Sequence, residues 1–177
     1  KFYLVLTVFF IFMFLAFSGI EAYNEVRIPG VLQRIGIVYF FTSLVYIKTE
    51  IKGQIITIAL LLFGYWAIMT LIPVPDFGPA NLDKGTNLAG WIDNLLLENH
   101  LWASSKTWDP EGILSTIPAI ASGIVGLLVG QLLNSNLTKN DKAVKMFGIG
   151  FVLVILGLIW NPFFPMNLRK LHKFLPI

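Results

Sequence analysis

An arginine set inside an apolar run, a group of carboxylates and a lone histidine are the residues of this 177-residue chain whose types could do chemistry. Arg34 lies about one turn inside the run that opens at Arg27-Ile28-Pro29-Gly30-Val31-Leu32-Gln33-Arg34. A cation at that depth is costly and faces a cavity or a counter-charge, unless it snorkels back to the interface. Held inside, it would serve a phosphate or carboxylate, with Gln33 as a neighbouring donor. Glu21 and Glu25 are possible ionic partners for Arg27 or Arg34. Six of the ten acids, Asp76, Asp83, Asp93, Glu98, Asp109 and Glu111, share the single long polar stretch Pro75–Gly112 with His100. The ordinary pKa of histidine near neutrality makes His100 the acid–base group of that stretch. A lone loop histidine is nonetheless more often solvated or a helix cap.

Composition narrows the setting in which such groups act. Hydrophobic residues make up 56% of the chain and charged ones 13%, about half the charge of a soluble domain. The mean hydropathy of +0.75 points the same way. The net charge of +3 is spread over short connections without aromatic interleaving, which argues against nucleic acid as a partner. No cysteine is present, and the two histidines stand 72 positions apart, so no metal site is expected. Walker, GxGxxG, HExxH and GxSxG motifs are missing.

Five stretches are long and apolar enough for membrane helices: about 2–20, 29–47, 54–72, 113–133 and 146–160. The expected fold is therefore all-α, a polytopic transmembrane helix bundle with one long loop, 75–112. The lipid bilayer is the first partner this implies. Lys48, Lys52, Lys139, Lys142 and Lys145 gather in the connections of one side. The positive-inside rule makes that side cytoplasmic and turns loop 75–112 outward. Arg169, Lys170 and Lys173 fall on the outer side in this count and disagree with it.

Local signals refine the elements. Pro29 suits the first helical position of the second span. Asp109, Pro110 and Glu111 read as N-cap, first residue and dipole partner of the fourth. Pro118 inside that span removes one backbone bond, which Ser115 or Thr116 can help to satisfy. Gly126 and Gly130 form a GxxxG pair suited to close helix contact. Within the loop, Asn87–Glu98 reads as a short amphipathic helix. Leu88, Trp91, Ile92 and Leu95 form its apolar side, Asp93, Asn94 and Glu98 its polar side, and the bilayer edge is its natural place.

Four pieces in this order resemble the heparan-α-glucosaminide N-acetyltransferase family and its bacterial relatives. They are RIPGVLQRIG (27–36), NLAGWIDNLLL (87–97), His100-Leu101-Trp102 and WDPEGILSTIPAI (108–120), and Phe164–Asn167 is similar to a later FPxN segment. The resemblance runs from about Val26 to Asn167. It implies a membrane acyltransferase that takes acetyl from cytoplasmic acetyl-CoA, its co-substrate, and gives it to a small-molecule or glycan acceptor such as an amino sugar. Arg34 and Gln33 would then meet the donor, while Asp109, Glu111, His100 and Asp93 stand on the acceptor side. The family's transfer histidine lies upstream of the PGVLQR segment, before the start of this chain. The catalytic residue is thus unassigned here, and His100 does not inherit the role. Departure from the family pattern after Asn167 suggests a single membrane domain that is part of a larger protein and inactive alone; further copies of the chain, as a homo-oligomer, are among the expected partners. A bacterial inner membrane is the expected location. A solute transporter or channel subunit and an inactive fragment are the rival readings; inverted repeats or acids in mid-span would favour transport, and neither is evident.

Overall fold

The computed structural model describes residues 27–163, and these are all-α. The expected span 2–20, Glu21, Glu25, Phe164–Asn167 and the basic tail lie outside the described residues. Five α-helices follow in order: α1 (Val31–Lys48), α2 (Ile51–Leu71), α3 (Leu88–Leu97), α4 (Thr116–Leu133) and α5 (Lys139–Phe163), with a 3₁₀ turn at Glu98–His100. Among the described residues the only β feature is an isolated bridge between Val74 and Gly78. Four of the helices, α1, α2, α4 and α5, are long and apolar enough to cross a membrane. The chain is an integral membrane protein, because side chains this apolar and this exposed need lipid rather than water around them.

The helix ends show where local chemistry prevailed. α1 begins at Val31 rather than Pro29: Gly30 is the extended N-cap, and its carbonyl accepts from Arg34 N at 3.0 Å. α1 and α2 are joined by Thr49 and Glu50 alone. Thr49 turns the chain by donating both its N–H (2.9 Å) and its hydroxyl (2.7 Å) to the Val45 carbonyl. Glu50 then caps α2, which starts three residues before the expected Gln54. After α2 the chain reverses tightly at Val74–Gly78, with Asp76 and Gly78 at positive φ.

α3 is capped by Asn87, whose side chain accepts from Gly90 N at 2.8 Å. Its predicted polar and apolar sides are only partly kept. Asp93 is buried, at 2% exposure, while Leu95 and Leu96 are exposed. The inward turn of Asp93 is explained by the backbone N–H of Ile113, which it satisfies. The α3 apolar residues that do turn inward seat on the end of α2. Met69, Val74 and Leu88 form a buried cluster flanked by Tyr65, Ile68, Trp91, Ile92 and Leu114.

α4 starts at Thr116, so Asp109 is not its N-cap and Pro110 is not its first residue. The segment 109–115 is instead a succession of turns. Pro118 consequently sits in the first turn of α4, where backbone N–H groups have no intrahelical partner and its missing donor costs nothing. Among the described residues, close helix contact occurs at Gly123 and not at the predicted pair. A Cβ on Gly126 or Gly130 would meet open space among the described residues. One on Gly123 would fall 2.6 Å from Thr42 Oγ1 and 2.8 Å from Val38 Cγ1 of α1. α1 and α4 therefore approach each other at Gly123.

The described chain divides into two compact units at Leu128–Val129. The second unit carries the end of α4 and all of α5. α5 begins seven residues before the expected Met146. Thr138 caps it, accepting from Asp141 N at 3.2 Å and donating to the Asp141 carboxylate at 2.7 Å. The polar turn 139–145 is thus helical, although too charged to be read as part of a span.

Candidate functional site at the entrance of α4

The turns of 109–115 assemble the charged residues that the sequence spreads over two connections. Asp109 folds the segment by accepting from Glu111 N at 2.9 Å, and its backbone carbonyl accepts from Gly112 N at 3.0 Å. Ser115 and Thr116 donate their hydroxyls to the Gly112 carbonyl at 2.9 and 3.0 Å. Arg27 then closes over the acids. Its Nε and one terminal nitrogen reach Asp109 at 2.8 and 2.5 Å, and the same nitrogen also bonds Glu111. The Asp109 side chain has no exposed surface, whereas those of Arg27 and Glu111 are 30% and 20% exposed. Hydrogen bonding to Asp109 raises the Arg27 pKa above the ordinary arginine value, against the opposing effect of burial. Among the described residues the partners of Arg27 are Asp109 and Glu111; Glu21 and Glu25, nearer in sequence, lie outside them. A usable signal was there: Arg27 precedes one span and Asp109 another two spans later, so the chain brings both to the same membrane face.

Asp93 reaches the same turns from α3. Its Oδ1 accepts from Ile113 N at 2.9 Å, and the backbone of Asp109 lies near the same carboxylate. Gly112 makes the approach possible, since a Cβ there would overlap the Asp93 carboxylate. Burial raises the Asp93 pKa; the N–H groups of Ile113 and Asp109 pull it back, and the nearby Asp109 charge adds to the rise. Among the predicted acceptor-side residues, the structure thus brings Asp93, Asp109 and Glu111 together.

Arg34 is held by the same segment. Its two terminal nitrogens donate to the Pro110 carbonyl at 2.8 Å and the Ser115 carbonyl at 2.6 Å. No carboxylate pairs with it among the described residues. It lines an open groove of about 650 Å³ between α1 and α4, with Ile35, Val38, Tyr39, Thr42, Pro118 and Ser122 among the walls. Arg34 and Thr42 are eight positions apart, so the groove extends about 12 Å along α1. The walls are mostly apolar, but the buried Thr42 Oγ1 has no hydrogen-bond partner among the described residues. Gln33 does not share the groove; its amide lies back over Gly30, where a Cβ would overlap it.

His100 sits apart from the groove, at the end of the 3₁₀ turn, partly buried. Its backbone carbonyl accepts from Ile28 N at 3.0 Å and ties the loop to the approach to α1. Beyond it, Trp102 and Trp108 pack edge to face at 5.8 Å, with Lys84 Nζ 5.4 Å from the Trp108 ring centre. Among the described residues no group of three or more His, Asp or Glu side chains is placed to hold a metal ion.

Comparison with known proteins agrees with the motifs. No family model matches the chain. The human heparan-alpha-glucosaminide N-acetyltransferase is 31% identical over 158 residues, covering 65% of this chain and 24% of the human protein. The mouse protein of the same name is 30% identical over 184 residues, covering 80% of this chain and 28% of its own length. The chain spans about a quarter of the length of these curated relatives. Over most of its own length it is similar in sequence to heparan-α-glucosaminide N-acetyltransferases, the family that its PGVLQR and DPEG segments resemble.

Proposed function

We propose that this chain is part of a membrane acyltransferase that moves acetyl from acetyl-CoA to an amine-bearing acceptor such as an amino sugar. The observation that carries the reading is Arg34, a cation without a carboxylate partner among the described residues, fixed at an open intramembrane groove. In such a transfer the acceptor nitrogen forms a bond to the thioester carbonyl carbon. The carbon–sulfur bond breaks, the amine proton goes to a base, and coenzyme A leaves as the thiol. Negative charge gathers on the carbonyl oxygen, and a pre-oriented guanidinium in a low-dielectric groove stabilises it far better than water does. The groove's apolar walls and its unpartnered Thr42 hydroxyl suit the amide-bearing arm of the donor. Glu111, partly exposed, and His100 are the acceptor-side groups of this reading. Asp109 and Asp93 are covered and serve the architecture.

The test uses the complete protein in membranes. Acetyl-CoA consumption is expected with at least one member of a panel of amino sugars. Arg34→Ala is expected to weaken acetyl-CoA binding about tenfold or more while the protein stays folded. Unchanged affinity in that variant would remove Arg34 from the donor site.

A further inference from the structure

Arg34 takes its direction from backbone, not from an acid. Both carbonyls that hold it, Pro110 and Ser115, belong to the 109–115 segment, so the guanidinium is only as well placed as those turns. Internal bonds to Gly112 close the segment, and Arg27 holds its start. The connection to the rest of the loop comes from Asp93, twenty residues away on α3. Its carboxylate accepts from the N–H of Ile113, in the middle of the segment, and Gly112 packs directly against it. At 2% exposure it has no surface on which to meet a substrate. A buried carboxylate is an expensive way to satisfy one N–H group. Its distinctive effect is to fasten the middle of this backbone segment to a helix.

We propose that Asp93 is a positioning residue, which fastens α3 to the 109–115 turns so that the Pro110 and Ser115 carbonyls aim Arg34 into the α1/α4 groove. The chain of contacts is Asp93 to the Ile113 amide, past Gly112, to the two carbonyls and then to the guanidinium. Gly112 belongs to the device because any side chain there would displace the Asp93 carboxylate. This inference rests on the donor-binding reading of Arg34.

The experiment is a double-mutant cycle on the complete protein in lipid nanodiscs, with acetyl-CoA as the probe. Hydrogen exchange of peptides covering 109–118 is followed without ligand. Asp93→Ala is expected to speed exchange in those peptides and to raise the Kd for acetyl-CoA about tenfold or more, as misplacement of a binding group does. In an Arg34→Ala background the same change should add little, since both act through one contact. Asp93→Asn, which keeps an acceptor oxygen, should restore most of the affinity and guards against an Asp93→Ala protein that fails to fold. An equal loss in both backgrounds would show general destabilisation and overturn the proposal. So would unchanged exchange at 109–118, or unchanged affinity in Asp93→Ala where Arg34→Ala binds poorly. Unchanged affinity in Arg34→Ala alone overturns the donor reading itself, a separately recognisable failure.

Discussion

Removing the Arg27 side chain would leave the Asp109 carboxylate buried with no counter-charge. Loss of one partner from a buried pair is far more damaging than absence of the pair, because the remaining charge keeps its desolvation cost. Since the Arg27 side chain is 30% exposed and partly screened, Arg27→Ala is expected to cost about 2–3 kcal/mol, short of the fully buried case. Arg27→Lys should recover part of this, as an ammonium restores the charge without the two-pronged geometry. Thermal unfolding of the three proteins in one detergent checks the order. Gly112→Ala belongs at this scale too. The added methyl group must push the Asp93 carboxylate off the Ile113 amide, and a loss of about 1–3 kcal/mol is expected. At the residue scale the sequence disclosed which groups were unusual, Arg34 and the WDPEG acids among them. It did not disclose their partners, because Arg27 and Asp109 lie 82 positions apart and only folding makes them neighbours.

Between elements, two contacts set the geometry. The first is the approach of α1 to α4 at Gly123. Gly123→Leu is expected to force the two helices apart or fill the groove, and to weaken acetyl-CoA binding, whereas Gly126→Leu meets open space among the described residues and should bind as before. Titration of both variants decides this; equal losses would mean that the groove is not the donor's path. The second contact is the clamp of α3 by Asp93. Its folded pKa is raised above the ordinary carboxylate value of 3.8, so the protonated form is the one folding favours. The stability it contributes is full below pH about 4 and is lost as pH rises through the raised folded value. Asp93→Asn cannot titrate. Its melting temperature should therefore gain on that of the parent protein between about pH 4 and neutrality, whatever constant offset the lost charge introduces. A gap that stays constant with pH would count against the raised pKa. The amphipathic reading of α3 located the helix well but placed Asp93 on the water side. Period and polarity say which residues share a face; they do not say that a distant turn will offer an unsatisfied N–H group to one of them.

For the molecule as a whole the bilayer is the governing solvent. Among the described residues none of the α5 span is buried, and its mean hydropathy over that window is 2.3, a composition suited to the bilayer. A lysine at Val154, near its middle, should oppose insertion by about 2.5–3.5 kcal/mol, read as the inserted fraction in a translocation assay. Orientation is open to a direct measurement, since this chain has no cysteine of its own. With the basic connections inside, Ser104→Cys should react with an impermeant maleimide from outside intact cells, and Asn140→Cys only after the membrane is opened. The reverse pattern would invert the proposed sidedness and place the α4 entrance on the cytoplasmic face.

Hydropathy alone determined that this is a helical membrane protein, and it found four of the described spans to within a few residues at most ends. That information is local: a run of apolar residues has few alternatives to a helix in lipid, whatever its neighbours do. Motif order also carried the resemblance to the N-acetyltransferases, because short exact segments survive where overall identity is near 30%. Only the tertiary structure decided that DPEG is a set of turns instead of a helix start. It also decided that Arg34 is held by carbonyls and Asp109 by Arg27, and that Asp93 faces inward. Each of these follows from unpaired N–H, C=O or charged groups meeting across 20 to 82 positions of chain. Such groups find their partners only when the helices between them have packed.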